Sequence, residues 1–104
     1  MYTINKVIRF DSAKSERNRL ERGFSFELAG EFEWQTAWVS EDQRRDYGEQ
    51  RLKAIGLIAG GLYVLVFTAR GEALRVISLR KANRRERALY EAQTEADATI
   101  GRES

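Results

Sequence analysis

The sequence predicts an α+β fold in which a small antiparallel sheet follows two helices and precedes a third. Three observations support this: a capped helical segment at residues 11–23, three consecutive strand patterns over residues 49–80, and a helix-capping pattern at residues 83–86. The chain has 104 residues, of which 42% are hydrophobic. This length suits one small domain, which we place at residues 1–96, with a disordered tail at residues 97–104.

The N-terminal third predicts a strand and two helices. Residues 6–10 ("KVIRF") form a strand candidate, and Asp11 can accept hydrogen bonds from the free amides at the start of a helix. Gly23 suits the left-handed conformation that ends such a helix. Ser25 is a candidate N-cap for a second helix in "FELAGEFEW". A brief strand is predicted at residues 36–39, and "SEDQRRDYG" at residues 40–48 predicts a polar loop.

The central segment predicts a three-stranded meander. From Glu49 the sequence alternates, so Glu49, Arg51 and Lys53 point to one side of a half-buried strand. The apolar stretch "AIGLIAGGLYVLVF" is shorter than the roughly 20 residues of a membrane-spanning helix, and its glycines indicate a turn between two strands. Further strands are predicted at residues 62–69 and 74–80. The spacing of Asn83 and Glu86 then predicts a capping box that starts the closing helix.

Composition excludes several kinds of chemistry. The chain contains no cysteine and no histidine, so it has no disulfide, no thiolate nucleophile, no Cys/His zinc site and no imidazole acid or base. The N-terminal residues lack the apolar core of a secretion signal, so we expect a cytoplasmic protein without a membrane segment. No cofactor is predicted.

The joint between the last strand and the closing helix concentrates positive charge. The segment "RVISLRKANRRERALY" at residues 75–90 carries six basic side chains, namely Arg75, Arg80, Lys81, Arg84, Arg85 and Arg87. Strict alternation places Arg75 with Ile77 and Leu79, and Arg80 with Val76 and Ser78, on opposite faces. Arg75 and Arg80 would converge only if the strand contained a bulge or ended before Arg80. The contiguous group is therefore predicted to be Arg80, Lys81 and Arg84.

Two interpretations of these cations remain open. Arg84, Arg85 and Arg87 fit an ordinary solvated helix face as well as a phosphate site. Arg75 and Arg80 lie in an otherwise apolar strand, where a guanidinium needs a partner such as Glu49 or a ligand phosphate. The hydroxyl of Tyr90 could bind a phosphate or complete the edge of the core.

Three ordered segments resemble the BrnT toxins of bacterial type II toxin–antitoxin systems. They are "FDSAKSERNRLERGFSFELA", which includes Asp11 and Lys14, "GEQRLKAIG", which includes Glu49 and Arg51, and "RVISLRKANRRERALY". The resemblance extends to about Tyr90. It implies a RelE-like fold, RNA cleavage that halts translation, and a BrnA-like antitoxin partner through which alone the complex contacts DNA.

The resemblance also suggests residue roles. A metal-free ribonuclease must deprotonate the RNA 2′-hydroxyl, stabilise charge on the transferring phosphate and protonate the leaving 5′-oxygen. We assign charge stabilisation to Arg75, Arg80 and Lys81, and the base to Glu49 or a lysine of lowered pKa. Arg51 either orients Glu49 or forms a structural ion pair. The predicted RNA-binding residues are Lys14, Arg84, Arg85 and Tyr90.

Two other functions are compatible with the same residues. A non-catalytic module would use these cations only to seat RNA phosphates or an acidic protein. A purely structural subunit would show no dependence of RNA affinity or RNA integrity on Arg80. Cleavage products distinguish the ribonuclease from both.

Overall fold

A five-stranded mixed sheet forms the centre of the molecule. The computed structural model describes residues 7–42 and 49–103. The strands are β1 (Val7–Arg9), β2 (Trp38–Glu41), β3 (Leu52–Ile58), β4 (Gly61–Arg70) and β5 (Ala73–Lys81), arranged in the order β1-β5-β4-β3-β2. Two α-helices flank them, α1 (Ser12–Arg22) and α2 (Arg84–Glu103). The α+β class is confirmed.

The predicted antiparallel meander is present but is only part of the sheet. β3, β4 and β5 pair antiparallel in sequence order, and β2 extends the sheet antiparallel to β3. β1 pairs parallel with β5, so the prediction of a purely antiparallel sheet is wrong. The long connection from β1 to β5 allows either direction, and local sequence does not specify which strand a three-residue segment will join.

Helix α1 follows its sequence signals. The Asp11 carboxylate accepts hydrogen bonds from the amides of Ala13 at 2.8 Å and Lys14 at 3.1 Å. These hydrogen bonds hold the pKa of Asp11 below its usual value, and the bond from the Lys14 amide contributes most. Gly23 ends the helix in the left-handed region with φ of 90°. The predicted boundaries of this helix are confirmed.

The second predicted helix is wrong in type. Residues 24–37 contain two 3₁₀ helices, Phe26–Glu31 and Trp34–Thr36, and the Ser25 side chain makes no capping hydrogen bond. Gly30 lowers the helix propensity of this segment. The segment also has to place Phe32 in the core, where its ring lies against Gly56.

The hairpin between β3 and β4 is confirmed. Ala59 and Gly60 form its two-residue loop, with φ of 47° and 83°. Positive φ at both loop residues is typical of a type I′ turn, whose twist matches that of the flanking strands.

Each face of the sheet has its own core. The 3₁₀ helices cover one face, whose buried residues are Phe26, Ala29, Phe32, Ala54, Ile58, Leu65, Phe67, Leu74, Val76 and Leu79. The other face, called the α2 face here, buries Ile55, Leu62, Val64 and Val66, against which Trp38, Ile77, Ala82 and Tyr90 pack. Apolar contact on both faces fixes the sheet between two layers.

Several predicted boundaries change. β3 begins at Leu52, so Glu49 and Arg51 precede the strand instead of alternating within it. Ser40 and Glu41 belong to β2, whereas residues 43–48 of the predicted polar loop lie outside the described residues. The domain limits stay a prediction, although helical backbone in α2 reaches Glu103, within the segment predicted as a disordered tail. The RelE-like similarity also stays a prediction.

No helix within residues 7–42 and 49–103 combines the length and the apolar content that crossing a membrane requires.

Candidate functional site

A bulge in β5 decides which side chains share a face. Val66 of β4 pairs with Ser78, and the next residue, Phe67, pairs with Val76, so Ile77 has no direct partner. One extra residue on a strand shifts its alternation by one position. The interpretation of this strand as strictly alternating is therefore wrong.

The bulge brings Arg75 and Arg80 to the same face of the sheet. Val76 and Leu79, three positions apart, are 2% and 0% exposed and lie in the core under the 3₁₀ helices. Arg75 pairs in register with Thr68, and Arg80 with Val64, whose side chain is buried on the α2 face. The bulge therefore gives Arg75 and Arg80 a common face, at positions whose partners lie four residues apart on β4.

Arg80, Glu86 and Lys53 form an ion cluster where β5 meets α2. The Arg80 guanidinium donates to both carboxylate oxygens of Glu86, from Nη1 at 2.7 Å and from Nη2 at 2.6 Å. The Lys53 ammonium lies 3.2 Å from Glu86 Oε2. Both basic side chains keep about a third of their surface exposed, whereas that of Glu86 keeps 6%. Two basic side chains thus share the Glu86 carboxylate at a partly open site.

The same glutamate caps α2. The Asn83 amide donates to Glu86 Oε1 at 2.9 Å, and the Glu86 amide donates to Asn83 Oδ1 at 2.8 Å, which confirms the predicted capping box. The hydrogen bonds from Arg80 lower the pKa of Glu86 to about 2; burial opposes this, and the Asn83 amide and Lys53 reinforce it. Glu86 is therefore fully ionised at neutral pH.

The structure reveals a partner for Arg80 that the sequence analysis did not identify. We considered Glu49 or a ligand phosphate, yet Arg80 forms a bidentate pair with Glu86. Lys53 was also missed as a site residue. Alternation had placed Lys53 on a common side with Arg51, and its register partner Val66 lies on the α2 face, but no spacing in the sequence indicated its contact with Glu86.

Glu49 and Arg51 lie towards the Arg75 end of the sheet. Leu52, the first residue of β3, is level with Phe67 and hence with Val76, whereas Arg80 is level with Ile55. Glu49 is exposed and Arg51 is half-buried. The predicted catalytic residues therefore spread along the strand direction and do not surround Arg80.

The remaining predicted residues occupy different places. Lys81 is exposed and pairs in register with Tyr63, which packs on the 3₁₀ side, so alternation directs it away from Arg80. Arg84 and Arg85 are exposed in the first turn of α2. The Tyr90 hydroxyl donates to the Thr36 carbonyl at 3.0 Å and ties α2 to the second 3₁₀ helix. Lys14 lines a cleft beside β5.

Within residues 7–42 and 49–103, no group of three or more aspartate, glutamate, histidine or cysteine side chains is placed to hold a metal ion.

Comparison with known families identifies the chain. Residues 10–86 match the family model described as "Ribonuclease toxin, BrnT, of type II toxin-antitoxin system". This chain belongs to the BrnT family. The matched segment runs from the residue before the Asp11 cap to Glu86 of the capping box, so it contains the bulged strand and the ion cluster. No curated protein matches the chain.

Membership of the BrnT family defines the functional class. The family is one of ribonuclease toxins, and a type II system pairs such a toxin with an antitoxin protein. RNA is therefore the substrate class at family level. The matched segment ends before Tyr90, so the family match itself assigns nothing to that residue.

Proposed function

We propose that this chain is an endoribonuclease that cleaves mRNA in the cytoplasm without a metal ion and so stops translation. The observation that supports this most directly is the bulge in β5, which sets Arg75 and Arg80 on one face of the sheet. An RNA strand lying along that face would meet both guanidinium groups. The proposed protein partner is a BrnA-like antitoxin, through which alone the complex would contact DNA.

The ion cluster suits charge stabilisation. Arg80 is fixed by two hydrogen bonds to Glu86, which is itself held by the cap of α2. A cation that is already in place needs no reorganisation when negative charge develops on a phosphate, and this is commonly a large contribution to catalysis. Lys53 supplies a second positive charge beside the same carboxylate. We therefore add Lys53 to the proposed site.

Glu86 is better suited to positioning than to proton transfer. A carboxylate with a pKa of about 2 is a weak base at neutral pH, since an effective general base titrates near the working pH. Glu49 remains the proposed base and Arg51 its proposed orienting partner, at the Arg75 end of the site. Lys81, Arg84, Arg85 and Tyr90 would contribute at most to RNA binding.

The proposed reaction requires no external nucleophile. The 2′-oxygen attacks the adjacent phosphorus as the base takes its proton, and the bond from phosphorus to the 5′-oxygen breaks as that oxygen is protonated. The products carry a 2′,3′-cyclic phosphate and a 5′-hydroxyl. Fragments bearing these ends distinguish the mechanism from hydrolysis by activated water, which leaves a 5′-phosphate or a 3′-phosphate directly.

The test is cleavage of a purified mRNA in excess EDTA, with 5′ ends mapped by primer extension and their chemistry checked by direct kinase labelling. Arg75→Ala and Arg80→Ala are compared with Arg19→Ala, which removes the same charge from an exposed pair with Glu16 on α1. Arg75→Ala is the cleaner variant because Arg75 is exposed, whereas Arg80 supports the cap of α2.

We expect discrete cuts with wild type and Arg19→Ala, and at least a 100-fold slower rate with the two site variants at unchanged circular dichroism. A rate that depends on added Mg²⁺ would contradict metal independence. Intact RNA with folded wild type, on naked mRNA and with translating ribosomes, would instead support the non-catalytic binding module.

A further inference from the structure

A cleft of about 270 Å³ lies between α1 and the outer edge of β5. It exists because β1 pairs with β5 only at Ala73, Leu74 and Arg75. Beyond Arg75 no described strand continues the sheet on that side, and α1 runs beside the open edge. The volume is slightly below the roughly 300–1,000 Å³ of typical small-molecule sites, so the cleft suits only a small ligand or a short part of a larger one.

The wall formed by α1 is cationic and largely unpaired. Lys14 and Arg17 line the cleft and are exposed, and within the described part of the chain neither side chain forms an ion pair. Among the described residues that line the cleft, Glu21 is the one carboxylate, against three basic residues including Arg22. Neighbouring cations repel each other, so their arrangement along one wall favours an anionic occupant.

Arg22 is held in place at the bottom of this wall. Its Nη1 donates to Asn18 Oδ1 at 2.9 Å and to the Leu79 carbonyl at 3.4 Å. Asn18 is 5% exposed, and its amide donates to the Phe24 carbonyl at 2.9 Å, which fixes the acceptor that Arg22 uses. The guanidinium is thus oriented before any ligand arrives, and it contacts the carbonyl of the residue that precedes Arg80.

The opposite wall combines apolar and polar surface. Ile77, the bulged residue, and Ser78 line the cleft from β5 and are both partly exposed. An apolar side chain beside a hydroxyl suits a nucleoside, which presents a flat ring and a hydrogen-bonding sugar. An inorganic anion would use the cations alone.

We propose that this cleft binds one nucleotide of single-stranded RNA, with the phosphates on either side of that nucleotide at Lys14, Arg17 and Arg22, next to the cleavage site. RNA as the occupant rests on the proposed function, whereas the anionic character of the ligand rests on the cleft itself. We predicted from the sequence that Lys14 binds RNA. In the structure, Arg17, Arg22 and Ser78 line the same cleft as Lys14.

A protein strand fits this edge poorly. An added β-strand would have to form hydrogen bonds with the free backbone groups of β5. The Leu79 carbonyl already accepts a hydrogen bond from Arg22. The bulge at Ile77 also interrupts the regular spacing of the backbone groups along the edge. An acidic protein that contacts only side chains is the alternative that the experiment must separate.

The experiment measures binding of a fluorescein-labelled 2′-O-methyl oligonucleotide, which cannot be cleaved because its 2′-oxygen is blocked. Fluorescence anisotropy gives Kd at several salt concentrations for wild type, Lys14→Ala, Arg17→Ala and the double variant. Arg19→Ala is the matched control, because it removes one cation from the same helix two residues away and outside the cleft.

We expect each cleft variant to bind about fivefold more weakly at 0.1 M salt and to lose about 0.7 from the slope of log K against log salt, as for one phosphate contact on single strands. The double variant should lose about twice that slope, and Arg19→Ala should match wild type. Substitutions at two exposed helix positions leave the fold intact, which circular dichroism verifies.

The outcomes separate this inference from the proposed function. Specific binding with the expected slopes, in a protein that cleaves no RNA, would keep the nucleotide site and reject the ribonuclease. Cleavage by wild type with equal affinity and slope in all variants would overturn the nucleotide site and leave these cations to an acidic protein partner. Equal losses in Arg17→Ala and Arg19→Ala would also overturn it, since only general charge would then matter.

Discussion

Glu86 performs two structural tasks with one carboxylate. It caps α2 through the Asn83 amide and anchors the Arg80 guanidinium, with Lys53 beside it. The capping role was predictable from the spacing of two residues in the sequence. The ion pair was not, because it joins β5 and β3 to α2 and depends on where the bulge turns Arg80. The capping box of α2 therefore also holds Arg80 in place at the candidate site.

Replacing Glu86 with Gln should remove its charge while keeping its cap, since glutamine also serves in a capping box. We expect the variant to lose about 1–3 kcal/mol of unfolding free energy at pH 7, because Arg80 and Lys53 would lose their shared carboxylate. The measurement is urea unfolding followed by tryptophan fluorescence.

The pH dependence of that difference tests its origin. The pKa of Glu86 is about 2 in the folded protein and 4.5 in its ordinary state, so its charge stabilises the fold above about pH 4.5. That contribution, at most about 3 kcal/mol, is lost as the pH falls from 4.5 towards 2. Wild type and Glu86→Gln should therefore converge in this window. A difference that stayed constant from pH 7 to pH 3 would contradict the assignment.

At the level of single residues, the sequence identified which side chains carry charge but not what they face. Arg75 and Arg80 were selected because each interrupts an apolar strand, and the structure does bring them to a common face. Lys53 was overlooked because one lysine in an alternating strand resembles any solvated position. Its contact with Glu86 joins β3 to α2, and no residue spacing within β3 indicates a contact over that sequence distance.

Among the elements, β5 shows why strict alternation assigned some residues to the wrong face of the sheet. Val76 and Ile77 are adjacent apolar residues, and a strand with one buried face normally separates such residues by a polar one. We interpreted Leu79 as continuing the face of Arg75, whereas Leu79 is buried with Leu74 and Val76 on the opposite face. Both faces of this sheet are buried, so the adjacent apolar pair gave no signal for the bulge, and Ile77 and Leu79 also fit an unbroken strand.

The elements that were predicted well are those with local signals. The cap at Asp11, the stop at Gly23 and the turn at Ala59 and Gly60 depend on neighbouring residues only. The parallel pairing of β1 with β5 and the 3₁₀ form of residues 26–31 depend on distant partners. In particular, Phe32 reaches across to β3, and that contact constrains the segment preceding it.

The packing of the 3₁₀ segment on β3 should make Gly56 intolerant of substitution. A Cβ at Gly56 would lie 2.6 Å from Phe32 Cζ and 3.1 Å from Ala37 Cβ. The Phe32 ring cannot easily retreat, since it is 5% exposed and packs edge-on against Trp34 at 4.7 Å between centroids. We expect Gly56→Ala to cost about 1–3 kcal/mol of unfolding free energy.

Gly30→Ala is the matched control for that substitution. A Cβ at Gly30 meets no atom within 4 Å, so we expect unchanged or slightly greater stability. Urea midpoints of both variants and wild type provide the comparison. Equal midpoints for Gly56→Ala and Gly30→Ala would show that Phe32 does not pack as described.

On the scale of the whole molecule, the burial of both sheet faces limits where the cationic side chains can lie. One face is filled by the 3₁₀ helices, which leaves the α2 face and the open edge of β5 to carry the cations. Net charge is only +2, so the chain as a whole attracts RNA weakly and the local arrangement must supply the affinity. Arg75 and Arg80 lie level with Thr68 and Val64, four residues apart on β4, so about 13 Å separates them along the strand, which exceeds one phosphodiester unit.

This arrangement predicts which component of translation the protein damages. Because the cations follow one strand and one edge, they suit single-stranded RNA, and we expect mRNA to be inactivated without ribosomes. In cell-free synthesis, reporter mRNA treated with the protein and then purified should yield at least tenfold less product than untreated mRNA. Ribosomes treated in the same way and recovered should stay active, and Arg75→Ala should spare the mRNA as well.

Treating the mRNA and the ribosomes separately, and then together, gives outcomes that would contradict this prediction. Loss of synthesis from treated ribosomes, with treated mRNA still active, would place the lesion in the ribosome and contradict mRNA as the substrate. Loss only when protein, mRNA and ribosomes are present together would mean that the ribosome presents the strand, and the cationic face alone would then be too weak to hold it. Raising the salt concentration during treatment should protect naked mRNA, because salt ions compete with the basic side chains for the RNA phosphates and weaken binding.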